Sequence, residues 1–233
     1  MKHSKIISIL ILFIFSSVSY AADLQKGLDA ARSGDFTTAL SEWTPLAEKG
    51  EAIAQYMLGQ MHIYGHGVTQ NTNEAVKWFR LAAEQGDVNA QNTLGYIYSN
   101  GESDIQNDKE AVKWYRLAAE QGDPLSQNNL GLKYTNGKGV SQDYKLAVKL
   151  FSLSAEQGHK DAQTSLGYMY ENGYGVIKNI VFAHMWYNIA NSQGHKTAKK
   201  NLKIVEKKMT VSQIEESQIL AKQCINNNYK GCS

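Results

Sequence analysis

The feature of this sequence that most restricts its fold is a tandem repeat. Four segments align without a gap, and they begin at Ala54, Ala90, Ser126 and Ala162, so that the period is 36 residues. Periods of roughly 20 to 50 residues are typical of repeat architectures, in which each unit buries its apolar face only against its neighbours. The sequence therefore predicts a stack of similar units rather than one globular core.

The apolar spacing within each repeat is that of α-helices. In the second half of each repeat a small residue is followed by a large one three positions later and by another small residue after four more. The i, i+3, i+7 pattern indicates one buried helical face. The three columns are Ala75, Ala111, Ala147 and Ala183; Trp78, Trp114, Leu150 and Trp186; and Ala82, Ala118, Ser154 and Ala190. In the first half, a leucine column is predicted to be core: Leu58, Leu94, Leu130 and Leu166.

Glycines mark the close contacts and the ends of the predicted helices. Glycine inside a helix costs about 1 kcal/mol relative to alanine, so a glycine that recurs there indicates close approach of a neighbouring helix. That column is Gly59, Gly95, Gly131 and Gly167. Glycines at which the second helices end are predicted to take positive φ: Gly86, Gly122, Gly158 and Gly194. The second repeat departs in its loop, where Ser103 stands in a column of glycines.

The first 21 residues have the three parts of a secretory signal. Lys2 and Lys5 precede an apolar run, and Ser19 and Ala21 are small residues at −3 and −1 of a cut after Ala21. The apolar run is shorter than the roughly 20 residues that span a bilayer, so we expect cleavage rather than a retained anchor. The mature chain then has no stable membrane insertion, and it is exported to the periplasm or secreted.

The predicted organisation follows from these signals. Shorter helix pairs flank the repeats, and Thr210 with Gln213 has the spacing of a capping box. We predict a signal peptide (1–21), an N-terminal capping pair (22–53), four repeats (54–89, 90–125, 126–161 and 162–197) and C-terminal capping helices with a tail (198–233).

Removal of the signal also changes the charge of the chain. Lys plus Arg falls from 24 to 22 when Lys2 and Lys5 leave, while Asp plus Glu stays at 22. The mature chain is formally neutral, and its overall charge gives no reason to expect nucleic acid as a partner.

The repeated pattern AQxxLGxxYxxGxGV followed by AxxWxxxAAEQG resembles the Sel-1-like repeat family, a relative of tetratricopeptide repeats. The resemblance covers Ala54 to about Thr197. It implies an all-α fold, with αα-hairpins stacked into a right-handed superhelix, or solenoid, that has a concave face. It also implies a monomeric adaptor or scaffold that binds a protein or peptide, in the envelope or in a host, and that needs no cofactor.

On such a fold the first helix of each repeat lines the concave face. A glutamine recurs there at one position, and its amide suits hydrogen bonding to the extended backbone of a partner. The alternative is that these glutamines bridge neighbouring repeats. They are Gln55, Gln91, Gln127 and Gln163. Tyr96 and Tyr168 occupy a position that varies between repeats, and we predict them to be aromatic anchors for the partner.

The chain has two cysteines, Cys224 and Cys232, and both belong to the mature part. An exported chain with one pair is expected to oxidise it. The intervening residues are polar and turn-prone, and the bridge would stabilise the chain by roughly 2–3 kcal/mol. The alternative is a frayed tail with two free thiols.

Signals for catalysis are weak. The cysteine spacing resembles that of a cysteine-rich subgroup of the family that binds penicillins and weakly hydrolyses β-lactams, but there each repeat carries a pair. The mature sequence lacks Ser-x-x-Lys, Lys-Thr-Gly and Gly-x-Ser-x-Gly motifs. His62 and His66 have the spacing of metal ligands but no evident third ligand. We predict no catalytic residue and no metal, with a weak β-lactam-binding enzyme as the alternative.

Overall fold

The computed structural model describes residues 22–101 and 105–232, and this part of the chain contains twelve helices and no strand. The predicted signal peptide and Ser103 lie outside the described residues. The helices are α1 (22–33), α2 (Phe36–Glu48), α3 (Ala52–Tyr64), α4 (Thr72–Glu84), α5 (Val88–Asn100), α6 (Asp108–Glu120), α7 (Pro124–Asn136), α8 (Tyr144–Ala155), α9 (Lys160–Asn172), α10 (Ile180–Ser192), α11 (Lys196–Glu206) and α12 (Val211–Asn226). The predicted all-α class is confirmed, and the successive hairpins are those of a helical solenoid.

The hairpins begin two residues before the predicted repeat boundaries. Their first residues are Ala52, Val88, Pro124 and Lys160. The difference arises because the predicted boundaries were placed at the recurring Ala-Gln or Ser-Gln pair, which lies within the first turn of each helix.

The described chain divides by its packing into two units, with the boundary between Leu94 and Gly95, inside α5. In the first unit, α2 and α3 pack through a core that includes Trp43, Leu46 and Leu58. The indole Nε1 of Trp43 also donates to the Leu24 carbonyl at 3.3 Å, which holds α1 on this core.

The second unit contains α6 to α12 and the end of α5. One core cluster of this unit is formed by buried side chains of α8, α9, α10 and α12, among them Phe151, Leu166, Trp186 and Cys224. The predicted leucine column and both small-residue columns are buried in all four repeats, which confirms the predicted apolar faces. Trp114, Leu150 and Trp186 are buried as predicted, whereas Trp78 is half-buried.

Each helix-interior glycine faces an aromatic ring of the second helix in its own hairpin. A Cβ built on Gly167 would lie 2.5 Å from Tyr187 Cε1. The four pairs are Gly59 with Phe79, Gly95 with Tyr115, Gly131 with Phe151, and Gly167 with Tyr187. The predicted close approach is confirmed. The aromatic partner column was missed, although an aromatic residue at the same position of every repeat was a usable signal.

The helix ends follow the predicted capping signals. The capping box of Thr210 and Gln213 is present, and Asn71 accepts a hydrogen bond from the Glu74 N–H at 3.0 Å. The glycines that follow the second helices all have positive φ, between 79° at Gly194 and 95° at Gly86. Side-chain N-caps and glycines with positive φ therefore define the helix ends.

Candidate functional site

The four recurring glutamines are buried, and each lies 4% exposed or less. Each Nε2 donates to a main-chain carbonyl eight residues earlier, at the end of the preceding hairpin. The bonds run from Gln55 to Ala47 (3.1 Å), from Gln91 to Ala83 (3.0 Å), from Gln127 to Ala119 (3.3 Å) and from Gln163 to Ala155 (3.4 Å).

The amide oxygens of three of these glutamines accept a hydrogen bond from a glutamine at the end of the second helix of the same hairpin. Gln85 donates to Gln55 at 2.8 Å, Gln157 to Gln127 at 3.0 Å, and Gln193 to Gln163 at 2.8 Å. The side chains therefore bridge neighbouring hairpins, as in the alternative prediction. A partner could reach these amides only by separating the hairpins. The prediction that the four glutamines contact a partner is therefore corrected: their amides bond to the neighbouring hairpin instead.

The predicted tyrosine anchors lie at the surface. Tyr96 is 60% exposed and Tyr168 is 45% exposed, and Leu132, at the same position of the third repeat, is 41% exposed. We call these three side chains the anchor row. They recur every 36 residues on α5, α7 and α9, all within the second unit. Large apolar side chains grouped on a surface are typical of interaction sites.

A groove of about 380 Å³ lies beside the anchor row, between α7, α9 and α11. Leu132 and Tyr168 form part of its wall, and the buried Phe151 and Met169 contribute apolar surface. The remaining lining is polar: Thr135, Asn136, Thr164, Ser165, Thr197 and Asn201. An apolar surface with a few polar groups is suited to one side chain of a peptide together with its backbone.

Neighbouring rings hold Tyr168 in place. Tyr174 stacks on Tyr144 with ring centroids 4.7 Å apart, and the Tyr168 ring lies 5.8 Å from that of Tyr174. Burial, followed by the proximity of Tyr174, raises the pKa of the Tyr168 phenol. The side chain is therefore a neutral hydrogen-bond donor whose position is set before any partner arrives, which reduces the entropic cost of binding.

His159 and His195, which occupy the same position of successive repeats, are the N-caps of α9 and α11. The Nδ1 of each accepts a main-chain N–H, from Ala162 at 3.3 Å and from Ala198 at 3.2 Å. Both are half-buried, and burial lowers the pKa of His159. His195 Nε2 also lies 2.7 Å from an Asp161 oxygen. Their recurrence reflects capping of α9 and α11.

A buried polar set joins α10 to α12. Ser217 Oγ lies 2.5 Å from His184 Nδ1, and His184 Nε2 lies 3.4 Å from Glu206 Oε1. Serine, histidine and a carboxylate can form a nucleophilic triad, but Ser217 is 0% exposed and His184 is 1% exposed. In this conformation no substrate reaches the hydroxyl, and the set fixes the position of the last helix.

The two cysteines lie together at the end of the same helix. Cys224 Sγ and Cys232 Sγ are at bonding distance, 2.06 Å, and the bridge ties the C-terminal tail to α12.

Among the described residues no group of three His, Cys, Asp or Glu side chains is arranged to hold a metal ion. The His66 ring stacks on Phe36 at 4.2 Å. None of the described helices is both long and apolar enough to cross a membrane.

Tandem helical hairpins with a recurring exposed apolar row define a helical repeat protein. The Sel1 repeat family model matches residues 52–87, 88–123, 124–159 and 160–195. These matches cover more than half of the chain, and the chain belongs to the Sel1 repeat family.

Solved structures of similar proteins have the same fold. A Sel1 repeat protein from Oxalobacter formigenes is 31% identical, with a TM-score of 0.72, over 76% of this chain and 73% of that one. The protein c5321, a protective antigen of uropathogenic Escherichia coli with an SLR fold, is 27% identical, with a TM-score of 0.59. That match covers 93% of this chain and 56% of c5321. No curated protein matches the chain.

Proposed function

We propose that the chain is an exported protein-binding adaptor or scaffold whose partner docks on the anchor row and the adjoining groove. Sel1 repeat proteins generally act in protein–protein interaction. We choose this surface because Tyr96, Leu132 and Tyr168, which occupy one position of three successive repeats, are all exposed. The partner would place apolar side chains against this row and hydrogen-bond the polar rim of the groove.

Export is supported by the sequence of residues 1–21 and by the single cysteine pair. A disulfide forms and persists in oxidising compartments such as the periplasm or the extracellular space. The similarity to a protective antigen of a pathogenic bacterium is compatible with either location. The proposal therefore includes partners in the cell envelope and in a host.

The test is site-directed crosslinking in the exporting cell. A photo-crosslinking amino acid replaces Leu132, and captured proteins are identified by mass spectrometry and then purified. The affinity of each purified partner is measured for the unlabelled chain and for a variant with Leu132→Ala and Tyr168→Ala. Loss of aromatic and aliphatic anchors costs about 2 kcal/mol or more in an interface, which is at least roughly thirtyfold in affinity.

Tyr64→Ala is the matched control, because Tyr64 is an equally exposed tyrosine on a first helix but lies outside the anchor row. We expect it to leave the affinity unchanged. If the partners bind both variants as tightly as the original chain, the anchor row is not the binding surface.

The β-lactam alternative is tested with the same purified chain. A fluorescent penicillin is incubated with residues 22–233 and the product is denatured before electrophoresis. We expect no label that survives denaturation, because the buried Ser217 is inaccessible and no serine hydrolase motif is present. Stable labelling would favour the enzymatic function instead.

A further inference from the structure

The last helix of the chain covers one face of α10. That face consists of Phe182, Met185, Trp186 and Ile189, which have the i, i+3, i+4, i+7 spacing of a helical stripe. Helix α12 packs on it through Leu220, Ala221 and Cys224. Met185, Trp186 and Ile189 are at most 1% exposed.

The equivalent face of α8, 36 residues earlier, is partly open, although its Leu150 is only 8% exposed. It consists of Leu146, Lys149, Leu150 and Leu153, and Leu153 is 42% exposed. These four side chains line a groove of about 560 Å³ that is formed by α6, α7 and α8. We call it the second-helix groove. No helix among the described residues occupies it as α12 occupies the face of α10.

Two further pairs of residues, each 36 positions apart, show that the open groove corresponds to the space that α12 and its tail fill. The ring of Tyr229, in the tail after α12, lies against Gly158 at the end of α8. The matching glycine, Gly122, lines the open groove. Ala155 packs in the same core cluster as Ala221, and its counterpart Ala119 also lines the open groove. The space that α12 and its tail fill beside α8 and α10 thus recurs, unfilled, beside α6 and α8.

The open groove differs from the filled one at all four positions of its α8 face and at Arg116, and three of these five differences set its charge and the size of side chain that it can accept. Leu150 stands where α10 has Trp186, Lys149 stands where it has Met185, and Arg116 stands where α8 has Ser152. Glu120 is matched by Glu156 and adds no difference. The open groove therefore carries two more positive charges and has room for a larger side chain. It is complementary to a helix with carboxylates and a bulky aromatic residue.

We propose that the second-helix groove binds an amphipathic helix of a partner protein, in the way that α12 binds α10. An aromatic side chain of that helix packs over Leu150, and its carboxylates pair with Arg116 and Lys149. This surface is separate from the anchor row, because none of Tyr96, Leu132 and Tyr168 lines it. It goes beyond the proposed function and can succeed or fail independently of it.

The probe is a synthetic helix derived from residues 211–226 of this chain. Ala221→Trp supplies the aromatic side chain opposite the smaller Leu150, and Gln223→Glu supplies a carboxylate where Gln223 and Met185 line the same pocket. Cys224→Ala prevents disulfide exchange. A lactam between Gln218→Glu and Lys222, which are exposed and four residues apart, keeps the 16-residue peptide helical.

Binding of the labelled probe to residues 22–233 is measured by fluorescence anisotropy. We expect saturable binding that weakens at least tenfold in Leu150→Trp, which introduces the residue that the other three repeats have at this position. We expect a several-fold loss in Lys149→Met and a similar loss when the probe keeps Gln223. Tyr168→Ala on the anchor row is the control, and it should not change probe binding.

Two results would overturn the proposal. One is the absence of saturable binding, or binding that Leu150→Trp leaves unchanged. The other is dimerisation of the chain in size-exclusion chromatography that Leu150→Trp abolishes, because this assigns the groove to α12 of a second copy. Different variants test the two surfaces. If the anchor row is wrong, partner affinity is unchanged in the variant with Leu132→Ala and Tyr168→Ala. If the groove is wrong, probe binding is unchanged by Leu150→Trp.

Discussion

The glycines inside the first helices have a packing role that can be tested one residue at a time. At Gly167 an added Cβ would lie 2.5 Å from the ring of Tyr187, which is fully buried. Alanine gains about 1 kcal/mol in helix propensity, but overpacking typically costs about 1–3 kcal/mol. We expect Gly167→Ala to lower the free energy of unfolding by about 1 kcal/mol, as measured by urea denaturation.

The control for this prediction is a double-mutant cycle. In a Tyr187→Leu background the ring is absent, so the same Gly167→Ala change should cost less or become stabilising. An equal cost in both backgrounds would mean that the ring is not the reason for the glycine.

His184 makes the stability of the chain depend on pH. Burial lowers the pKa of His184, although the neighbouring Glu206 partly opposes this. As the pH falls below about 6.5, the ordinary value for histidine, the unfolded chain binds a proton here that the folded chain does not. We expect the chain to lose stability between pH 7 and pH 5, and His184→Gln to lose less over the same range. Urea denaturation at both values measures the difference.

His159 has a lowered pKa for the same reason and contributes in the same direction. His159→Asn keeps a helix-capping residue and is the matched comparison. Equal pH dependence in the original chain and in His184→Gln would show that His184 does not take part.

The recurring glutamines show what a single residue type can and cannot indicate. Their identity at four equivalent positions predicted a shared role, and both alternatives, partner binding and bridging, required an amide. The choice between them depends on burial, which is set by how closely the preceding hairpin approaches. That distance has no local sequence signal, whereas the exposure of Tyr96 and Tyr168 agreed with the variability of their position.

At the scale of helices, the recurring glutamines connect neighbouring hairpins through side-chain hydrogen bonds. Replacing Gln163 with leucine leaves the Ala155 carbonyl and the Gln193 amide without their bonds. A buried polar group that loses its partner costs about 1–3 kcal/mol. We expect Gln163→Leu to destabilise the chain by about that amount and to leave the partner affinity of the folded chain unchanged. Urea denaturation and the affinity measurement with a purified partner report the two effects.

Gln218→Leu is the control, because Gln218 is exposed on α12 and should have little effect on stability. A loss of partner affinity in Gln163→Leu without a loss of stability would restore the glutamine column as a binding surface.

Helix positions were predictable because each one has local signals. Glycine and capping residues mark the ends, and the small and large apolar columns mark the buried faces. The second-helix groove was not predictable, because repeat alignment does not say which helix faces are covered by other helices. Helix α12 packs on the Phe182–Ile189 face of α10, and no described helix packs in the same way on the equivalent face of α8.

At the scale of the whole molecule, the repeat period and the i, i+3, i+7 apolar spacing together predicted stacked helical units, and the family resemblance implied the all-α solenoid. The reason is physical: a repeated unit with one apolar face has to stack on its own copies. The same reasoning says little about partners, because residues 22–233 carry no net formal charge and the fold is shared by proteins of different function. The function therefore has to be argued from surfaces that differ between repeats.

Export and the cysteine pair can be tested together. When the full chain is expressed in an exporting bacterium, we expect the product to begin at Ala22 and to resist thiol alkylation. When residues 22–233 are expressed in a reducing cytoplasm, both cysteines should be alkylated. Intact mass spectrometry measures both outcomes. The oxidised form should be more stable than the reduced form by roughly 2–3 kcal/mol, because the bridge restricts the unfolded tail.

The double variant Cys224→Ser with Cys232→Ser separates the bridge from other effects of reduction, because its stability should be the same with and without a reductant. The structure also indicates where reduction of the disulfide should act. Cys224 packs in the same core cluster as Trp186, so reduction should loosen α12 and change the fluorescence of that tryptophan before the repeats unfold. An exported product that still begins at Met1, or whose thiols are free, would contradict the proposed export and oxidation.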